Sequence, residues 1–237
     1  MKKSEIRGTH EVGAKSIVLL SGGLDSAVNL AKAKEGTEVK LALTFDYGQR
    51  AAGQEIKAAR RLCQFYKVTH QVIELPWLAE VTTTSLVDKS RDVPFPDLNR
   101  DDQAGLARAV WVPNRNGLFI NIAASLAEAL DCDLIVVGFN AEEAVTFPDN
   151  SVPFLEAVNL SLSYSTLSYP KVVGYTLRLD KPGIVSLGKE LGVPLDRIWS
   201  CYLGETLMCG RCESCQRCIR AFKKAGAWDL IGEKFRR

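Results

Sequence analysis

Histidine is scarce in this sequence, and long apolar runs are absent. His10 and His70 are the only histidines among 237 residues, which argues against a catalytic metal held by several imidazoles. No window approaches the ~18 consecutive apolar residues of a membrane-spanning helix. The charged residues 1–15 are not followed by the long apolar region of a secretory signal. We therefore expect a cytoplasmic protein with no membrane partner.

An excess of charge of one sign is also missing. The 30 Lys and Arg residues are balanced by 28 Asp and Glu, which leaves a net charge of +2. This balance argues against a dedicated nucleic-acid binder, so we expect no direct nucleic-acid partner. Hydrophobic residues at 46% and charged residues at 24% are ordinary for a globular protein with a core of its own.

Short apolar runs alternate with helical periodicity along most of the chain. Strands are predicted at residues 16–20, 39–45, 68–75, 134–137 and 175–179. Helices are predicted at about residues 25–35, 56–66, 119–130, 153–167 and 182–191, with irregular loops at 76–112 and 139–152. The alternation predicts an α/β fold with a doubly wound, mostly parallel, five-stranded sheet. We expect a tail (1–14), an α/β domain (15–198) and a helical C-terminal extension (199–237).

A glycine-rich segment, S-G-G-L-D-S at residues 21–26, joins the first predicted strand to the first predicted helix. Consecutive glycines let the backbone turn tightly and approach a ligand, and amides at a helix N-terminus favour an anion. The spacing and the lysine of a Walker A loop are missing. Two interpretations follow: a phosphate-binding loop, or a glycine-rich turn in which Asp25 or Ser26 caps the helix.

Five of the seven cysteines crowd into residues 201–218, a spacing typical of a metal site rather than of a disulfide framework. The candidate ligands are Cys201, Cys209, Cys212 and Cys215. Four thiolates suit a structural, tetrahedral Zn²⁺. An iron–sulfur cluster is a second interpretation, because C-x2-C-x2-C also occurs in ferredoxin-type runs, and redox chemistry is a third. Cys218 is a spare candidate.

The segment 21–26 resembles the PP-loop of ATP pyrophosphatases. Together with W-S-C-Y-L-G at 199–204 and C-G-R-C-E-S-C at 209–215, it resembles the 7-cyano-7-deazaguanine synthase family. Other matching blocks are L-T-F-D-Y-G-Q-R at 43–50, V-P-N-R-N at 112–116, G-F-N at 138–140 and F-P-D at 147–149. The resemblance spans roughly residues 16–222 and implies an adenine-nucleotide alpha-hydrolase-like fold and a homodimer.

The resemblance implies a ligase that uses ATP with Mg²⁺ and contains a structural Zn²⁺. Its small-molecule substrates would be 7-carboxy-7-deazaguanine and ammonia, which are joined and dehydrated to a nitrile in queuosine or archaeosine precursor synthesis. An alternative enzyme is a PP-loop tRNA-modifying or amidotransferase-type ligase that acts on another acid or base. An alternative of another class is a zinc-knuckle binding module on a degenerate nucleotide fold.

The PP-loop resemblance implies that ATP contacts the loop and its neighbours, which are Leu20, Ser21, Gly22, Gly23, Leu24, Asp25, Ser26 and Ala27. The end of the second strand lies beside the ligand crevice of an open α/β sheet. Further nucleotide contacts are therefore expected at Thr44, Phe45, Asp46, Gln49 and Arg50. Candidate catalytic residues are Asp25, Ser26, Arg115 and Lys181.

Candidate substrate contacts are Arg115, Asn116 and Asp149. A guanidinium suits a carboxylate or phosphate, and a carboxylate suits the amidine edge of a deazaguanine. The alternatives are a surface ion pair for Arg115, a helix cap for Asn116, a turn residue for Asp149 and a solvated lysine for Lys181.

Three positions depart from the family pattern, and one group of basic residues has no assigned role. Asn150 and Ser151 stand where Cys-Arg is common in the family, and Cys218 stands where a basic residue is expected. The basic residues of the last helix are expected to form a solvated face; they are Arg217, Arg220, Lys223 and Lys224.

Overall fold

The computed structural model describes residues 13–95 and 103–236. Residues 1–12 of the expected N-terminal tail lie outside the described residues. Within the described part, no helix combines the length and the apolar character needed to cross a membrane. The expected division of the chain at residues 198 and 199 stays a prediction.

Five strands form one wholly parallel sheet in the order β3-β2-β1-β4-β5. They are β1 (Lys15–Leu19), β2 (Glu38–Asp46), β3 (His70–Glu74), β4 (Leu134–Val136) and β5 (Lys171–Val173). The central strand β1 reads as a continuous apolar run because helices cover both faces of a parallel sheet. This order confirms the predicted doubly wound α/β fold.

Helices connect the strands and pack on both sides of the sheet. They are α1 (Leu24–Gly36), α2 (Ala52–Tyr66), α3 (Pro76–Val81), α4 (Gln103–Val110), α5 (Arg115–Ala129), α6 (Ala141–Ala144), α7 (Val152–Ser165), α8 (Lys181–Glu190) and α9 (Glu213–Lys224). The prediction of irregular loops is wrong where α3, α4 and α6 form. The short α6 is set locally, because the Asn140 side chain accepts a hydrogen bond from the Glu143 amide at 2.9 Å.

The strand predicted at residues 175–179 is wrong. The fifth strand is β5, and residues 175–178 form a turn. Buried polar bonds hold this turn against the sheet: the Tyr175 amide donates to Asn29 Oδ1 at 2.7 Å, and the Thr176 hydroxyl donates to the Phe139 carbonyl at 2.6 Å. Side chain–backbone bonds of this kind compete with ladder bonds, and apolar periodicity does not reveal them.

Two hydrophobic clusters lie on opposite faces of the sheet. Successive residues of β1 show the division, because Ile17 belongs to one cluster and Val18 to the other. The cluster on the α1 and α8 side also contains Met208 and Phe222 of the C-terminal segment. The C-terminal extension therefore shares a hydrophobic cluster with α1 and α8 on one face of the sheet.

Candidate active site and metal centre

A pocket of about 280 Å³ opens at the carboxyl ends of the strands. The connection from β1 runs to β2 on one side, and β4 lies on the other side of β1. Such a reversal of strand order leaves a crevice between two adjacent strand ends, where open α/β sheets bind ligands. Segment 21–26 and the loop that begins at Gly138 both meet there. A Cβ atom on Gly138 would lie 2.9 Å from the Ser26 amide, so glycine permits this approach.

The glycine-rich segment forms a tight cradle in front of α1. Gly22 has φ +78°, and its carbonyl accepts from the Trp199 amide at 2.8 Å. The hydroxyls of Ser21 and Ser26 lie 3.1 Å apart. Gly23 occupies the N-cap position, and no side chain of the described residues caps it. The first amides of α1 are therefore available to an anion.

A buried ion cluster lies beside this cradle. Lys181 Nζ is 2.5 Å from Asp25 Oδ2 and 2.6 Å from Glu143 Oε1. Burial alone would lower the pKa of Lys181, but the two carboxylates together raise it, so the lysine is protonated. Burial raises the pKa of Asp25 despite the lysine. Asp25 Oδ1 is buried and has no hydrogen-bond partner among the described residues.

The part of the pocket wall formed by residues after β2 and by the start of α5 carries a second polar group. Arg115 Nη1 donates to Tyr47 Oη at 3.1 Å. Gln49 Nε2 donates to Glu55 Oε2 at 2.8 Å and to the Phe45 carbonyl at 2.9 Å. Burial raises the pKa of Glu55, although Gln49 and Arg115 oppose the shift. This wall therefore offers both a fixed cation and a carboxylate with an elevated pKa.

Aromatic and hydroxyl side chains complete the floor of the pocket. Phe45 stacks on Phe119 with ring centroids 4.0 Å apart and an interplanar angle of 8°. The Thr44 hydroxyl donates to the Leu20 carbonyl at 2.6 Å and lies 2.8 Å from His70 Nε2. Since the hydroxyl proton is used on Leu20, its oxygen accepts from the histidine. Thr44 therefore supports the strand ends as well as lining the pocket.

Most of the sequence-predicted site residues line this one pocket. They are Leu20, Ser21, Gly23, Leu24, Asp25, Ser26, Thr44, Phe45, Gln49, Arg115, Asn116 and Lys181. Gly22, Ala27, Asp46, Arg50 and Asp149 are not among the lining residues. Convergence in a pocket does not by itself assign a contact, so each role stays a prediction.

Two of the five outside the pocket have clear local roles. The Arg50 guanidinium donates to the carbonyls of Ser85 at 2.7 Å and Asp88 at 2.8 Å, which ties down the segment after α3. Asp149 lies near Arg115 and has a pKa raised by burial. Its backbone carbonyl accepts from Asn116 Nδ2 at 3.2 Å. The Arg50 guanidinium therefore holds the segment after α3 in place, and Asp149 is hydrogen-bonded to the pocket residue Asn116.

Several polar lining residues were missed from the sequence. They are Tyr47, Glu55, Glu143, Tyr202, Glu213, Ser214 and Arg217. Tyr47 and Glu55 flank predicted contacts in the 43–50 block, so their position was a usable signal. Nothing local marks Glu143 or Arg217, and although Tyr202, Glu213 and Ser214 lie in the cysteine blocks, only tertiary packing brings these residues to the pocket.

Four cysteines form a cluster suited to a metal ion. The Sγ atoms of Cys201, Cys209, Cys212 and Cys215 all lie within 4.8 Å of one another, and all four residues are buried. The Cys209 and Cys215 Sγ atoms are 3.8 Å apart, which matches the ~3.8 Å edge of a tetrahedron with metal–sulfur bonds of about 2.3 Å. Backbone amides donate to the Cys209 sulfur from Arg211 at 3.4 Å and from Cys212 at 3.3 Å. Cys218 lies outside this group and lines the pocket instead.

The fold and the site together define a broad class of protein. The described residues combine a wholly parallel doubly wound sheet, a glycine-rich loop at the reversal of strand order and a cluster of four buried cysteines. They define an α/β protein with a loop suited to an anion and a cluster suited to a metal ion. The chain belongs to the family described as "Queuosine biosynthesis protein QueC", whose sequence profile matches residues 15–226. The resemblance drawn from the motifs is therefore confirmed.

Relatives cover nearly the whole chain. The 7-cyano-7-deazaguanine synthase of Desulforamulus reducens is 57% identical over 215 residues, which is 89% of this chain and 94% of the relative. That of Pelotomaculum thermopropionicum is 58% identical over 216 residues, covering 90% and 98%. Among solved structures, a 4-thiouridine synthetase–RNA complex with bound ATP has a TM-score of 0.49 at 19% identity, covering 93% of this chain and 52% of that one.

Proposed function

We propose that this protein converts 7-carboxy-7-deazaguanine and ammonia to 7-cyano-7-deazaguanine at the expense of ATP. The observation that carries the proposal is the meeting of the uncapped α1 amides with the Asp25–Lys181–Glu143 cluster in a chain 57–58% identical to synthases of that name. The pocket is lined by the anion cradle together with Arg115 and Glu55. This arrangement suits a reaction between a nucleotide and an acid.

The chemistry requires a carboxylate to become an electrophile. The acid oxygen attacks the α-phosphorus of ATP, and pyrophosphate leaves. Ammonia then attacks the acyl carbon, loses a proton and displaces AMP to give the amide. The amide oxygen attacks the α-phosphorus of a second ATP, pyrophosphate leaves, and the nitrogen gives up one of its two protons. Elimination of AMP with loss of the second nitrogen proton then gives the nitrile. Both activation steps build negative charge on the leaving pyrophosphate, which the α1 amides and protonated Lys181 offset.

Magnesium fits the cluster beside the loop. Asp25 Oδ1 is a buried oxygen without a partner in the described part of the chain, and carboxylate oxygens together with phosphates are the ligands Mg²⁺ prefers. Bound there, the ion would neutralise charge on the leaving group. Because Lys181 is already shared by two carboxylates, the cluster carries a net negative charge. A nucleotide polyanion is therefore expected to need that additional cation.

A structural zinc ion fits the four cysteines. All four Sγ atoms lie within 4.8 Å of one another, which supports a single tetrahedral ion, since a cluster of several iron atoms would hold thiolates on different irons farther apart. Four sulfur ligands leave no open position, so the ion would stabilise the fold without taking part in the chemistry.

The proposal also includes the expected homodimer, its location in the cytoplasm and the absence of direct nucleic-acid contact.

The test is reconstitution from purified protein. ATP, Mg²⁺, ammonium and 7-carboxy-7-deazaguanine are mixed, and nitrile, AMP and pyrophosphate are quantified by mass spectrometry and phosphate assay. We expect nitrile only when all four are present. Asp25→Asn should stay folded and lose nearly all turnover, whereas Glu35→Gln, an exposed acid of the same helix that pairs with Lys32, should behave as wild type. ATP cleavage driven by a different acid or base, without nitrile, would refute this substrate and favour the alternative ligase.

A further inference from the structure

Helix α9 carries two faces with different partners. Cys212 at its N-cap and Cys215 in its first turn belong to the metal cluster. The residues between and after them line the active-site pocket: Glu213, Ser214, Arg217 and Cys218. Helical spacing explains the arrangement, because positions 213, 214, 217 and 218 repeat with the i, i+1, i+4, i+5 pattern of one face. The segment that binds the metal is therefore also a wall of the active site.

Arg217 is held on that wall by a chain of buried polar contacts. Its Nε pairs with Glu213 one turn earlier. Glu213 Oε2 in turn accepts from the Tyr202 hydroxyl at 2.9 Å. Tyr202 directly follows Cys201 and Glu213 directly follows Cys212, so each of these two residues is next to a cysteine of the cluster. The expectation of a solvated basic face is wrong for Arg217, whose side chain is 15% exposed, although it suits Arg220 at 58%.

One nitrogen of this guanidinium lacks an acceptor. Nη1 of Arg217 is buried and has no hydrogen-bond partner within residues 13–95 and 103–236. A buried charged donor without an acceptor is costly, and an anion in the adjoining pocket would satisfy it. Arg217 lies on the same side as Lys181, because its charge acts on Glu143, a partner of that lysine. Lys181 already forms ion pairs with Asp25 and Glu143, whereas the Nη1 group of Arg217 is still available to donate a hydrogen bond.

We infer that Arg217 binds the pyrophosphate group of the nucleotide together with the glycine-rich loop, and that the metal knuckle positions it through Glu213 and Tyr202. The inference rests on the proposed adenylation chemistry. A planar guanidinium can engage two phosphate oxygens at once. Cys218 occupies the position where the family resemblance predicts a basic residue, and the preceding Arg217 places a cation on the same wall. Arg217 is thus a binding residue, and Glu213 and Tyr202 are positioning residues.

Calorimetric titration of metal-loaded protein tests this directly. Inorganic pyrophosphate, ATP and AMP are titrated separately in Mg²⁺ into wild type, Arg217→Gln, Arg217→Lys and Arg220→Gln. Arg220 is a matched control because it lies on the same helix and faces solvent. Losing one charge-assisted bond pair predicts a rise of roughly 10- to 100-fold in the pyrophosphate and ATP Kd of Arg217→Gln. We expect a smaller rise for Arg217→Lys, and unchanged AMP binding in both.

Metal content and the nitrile assay are measured on the same samples. Arg217→Gln that retains metal and binds pyrophosphate like wild type would overturn the inference, as would an equal loss of AMP affinity. Wild type that binds no pyrophosphate would overturn it too. If Arg217→Gln fails to fold, Arg217→Lys decides, and wild-type pyrophosphate affinity in that variant refutes the bidentate contact. Wild type that binds pyrophosphate in an Arg217-dependent manner but forms no nitrile would refute the proposed function alone.

Discussion

Gly22→Ala is predicted to be among the more damaging single-methyl additions in the protein. At φ +78° an alanine pays about 1–2 kcal/mol for a left-handed backbone. Its Cβ would lie 2.7 Å from the Glu55 carbonyl oxygen and 2.8 Å from the Ala58 Cβ. Both belong to α2, so relief requires the helix to move, and overpacking of this kind adds about 1–3 kcal/mol. The free energy of unfolding should therefore fall by about 2–5 kcal/mol.

For a chain of this length each kcal/mol lowers Tm by roughly 2–4 °C, so the expected loss is on the order of 10 °C. Calorimetry on metal-loaded protein measures it. Gly192→Ala is the matched control, because Gly192 has φ +63° but no heavy atom within 4 Å of the added Cβ. It should lose only the backbone part, about 1–2 kcal/mol. Equal Tm losses in the two variants would show that α2 does not close on the loop as described.

Two further predictions concern the metal centre and the protonation of a buried histidine. Cys209→Ser should lose the metal, measured by elemental analysis, and much of its stability, because the binding free energy of a structural metal is part of the folding free energy. The control Cys63→Ser, at a buried position of α2, should retain the metal. Full metal content in Cys209→Ser would disprove the ligand set. Burial lowers the pKa of His70 below 6.5 in the folded protein. As pH falls through 6.5, the histidine is therefore protonated in the unfolded chain before it is protonated in the folded one. The free energy of unfolding should decrease from there towards the folded pKa. Urea unfolding between pH 7.5 and 5.5 measures this decrease, and a His70→Gln variant with the same slope as wild type would contradict it.

The fold was predictable where each element carries its own signal. Strands β1, β2 and β4 have buried apolar interiors, whereas β3 at the sheet edge is only partly buried. Helix α8 begins at a side-chain cap, Asp180, and α1 begins directly after the glycine-rich segment. The prediction failed at β5, where three residues sufficed for pairing and the more apolar stretch after it became a turn. A buried bond from the Thr176 hydroxyl to the Phe139 carbonyl decides that outcome. Such a bond joins residues distant in sequence, so local periodicity cannot predict it.

The site was predictable to the extent that its residues come in contiguous blocks. For the loop at 21–26, the glycine spacing and the following helix left an anion cradle and a capped turn both open, and the PP-loop resemblance favoured the cradle, which stays a prediction. Lys181 was found through its block, but its neutralisation by Asp25 and Glu143 was not, since 156 residues separate it from Asp25. Arg50 shows the opposite case. Its block suggested a ligand contact, whereas the carbonyls of the following loop use its guanidinium.

The C-terminal cysteines mark a region whose second role the spacing conceals. A C-x2-C-x2-C pattern explains positions 209, 212 and 215 as ligands, and it indicates no role for the residues between them. Once those positions are fixed on the N-terminal end of a helix, however, the intervening Glu213 and the following Arg217 must share a neighbouring face. Which element that face meets depends on how the extension packs on α8 and α1. Because it meets the pocket, loss of the metal should impair anion binding before it unfolds the sheet, and pyrophosphate titration during chelation would measure that order.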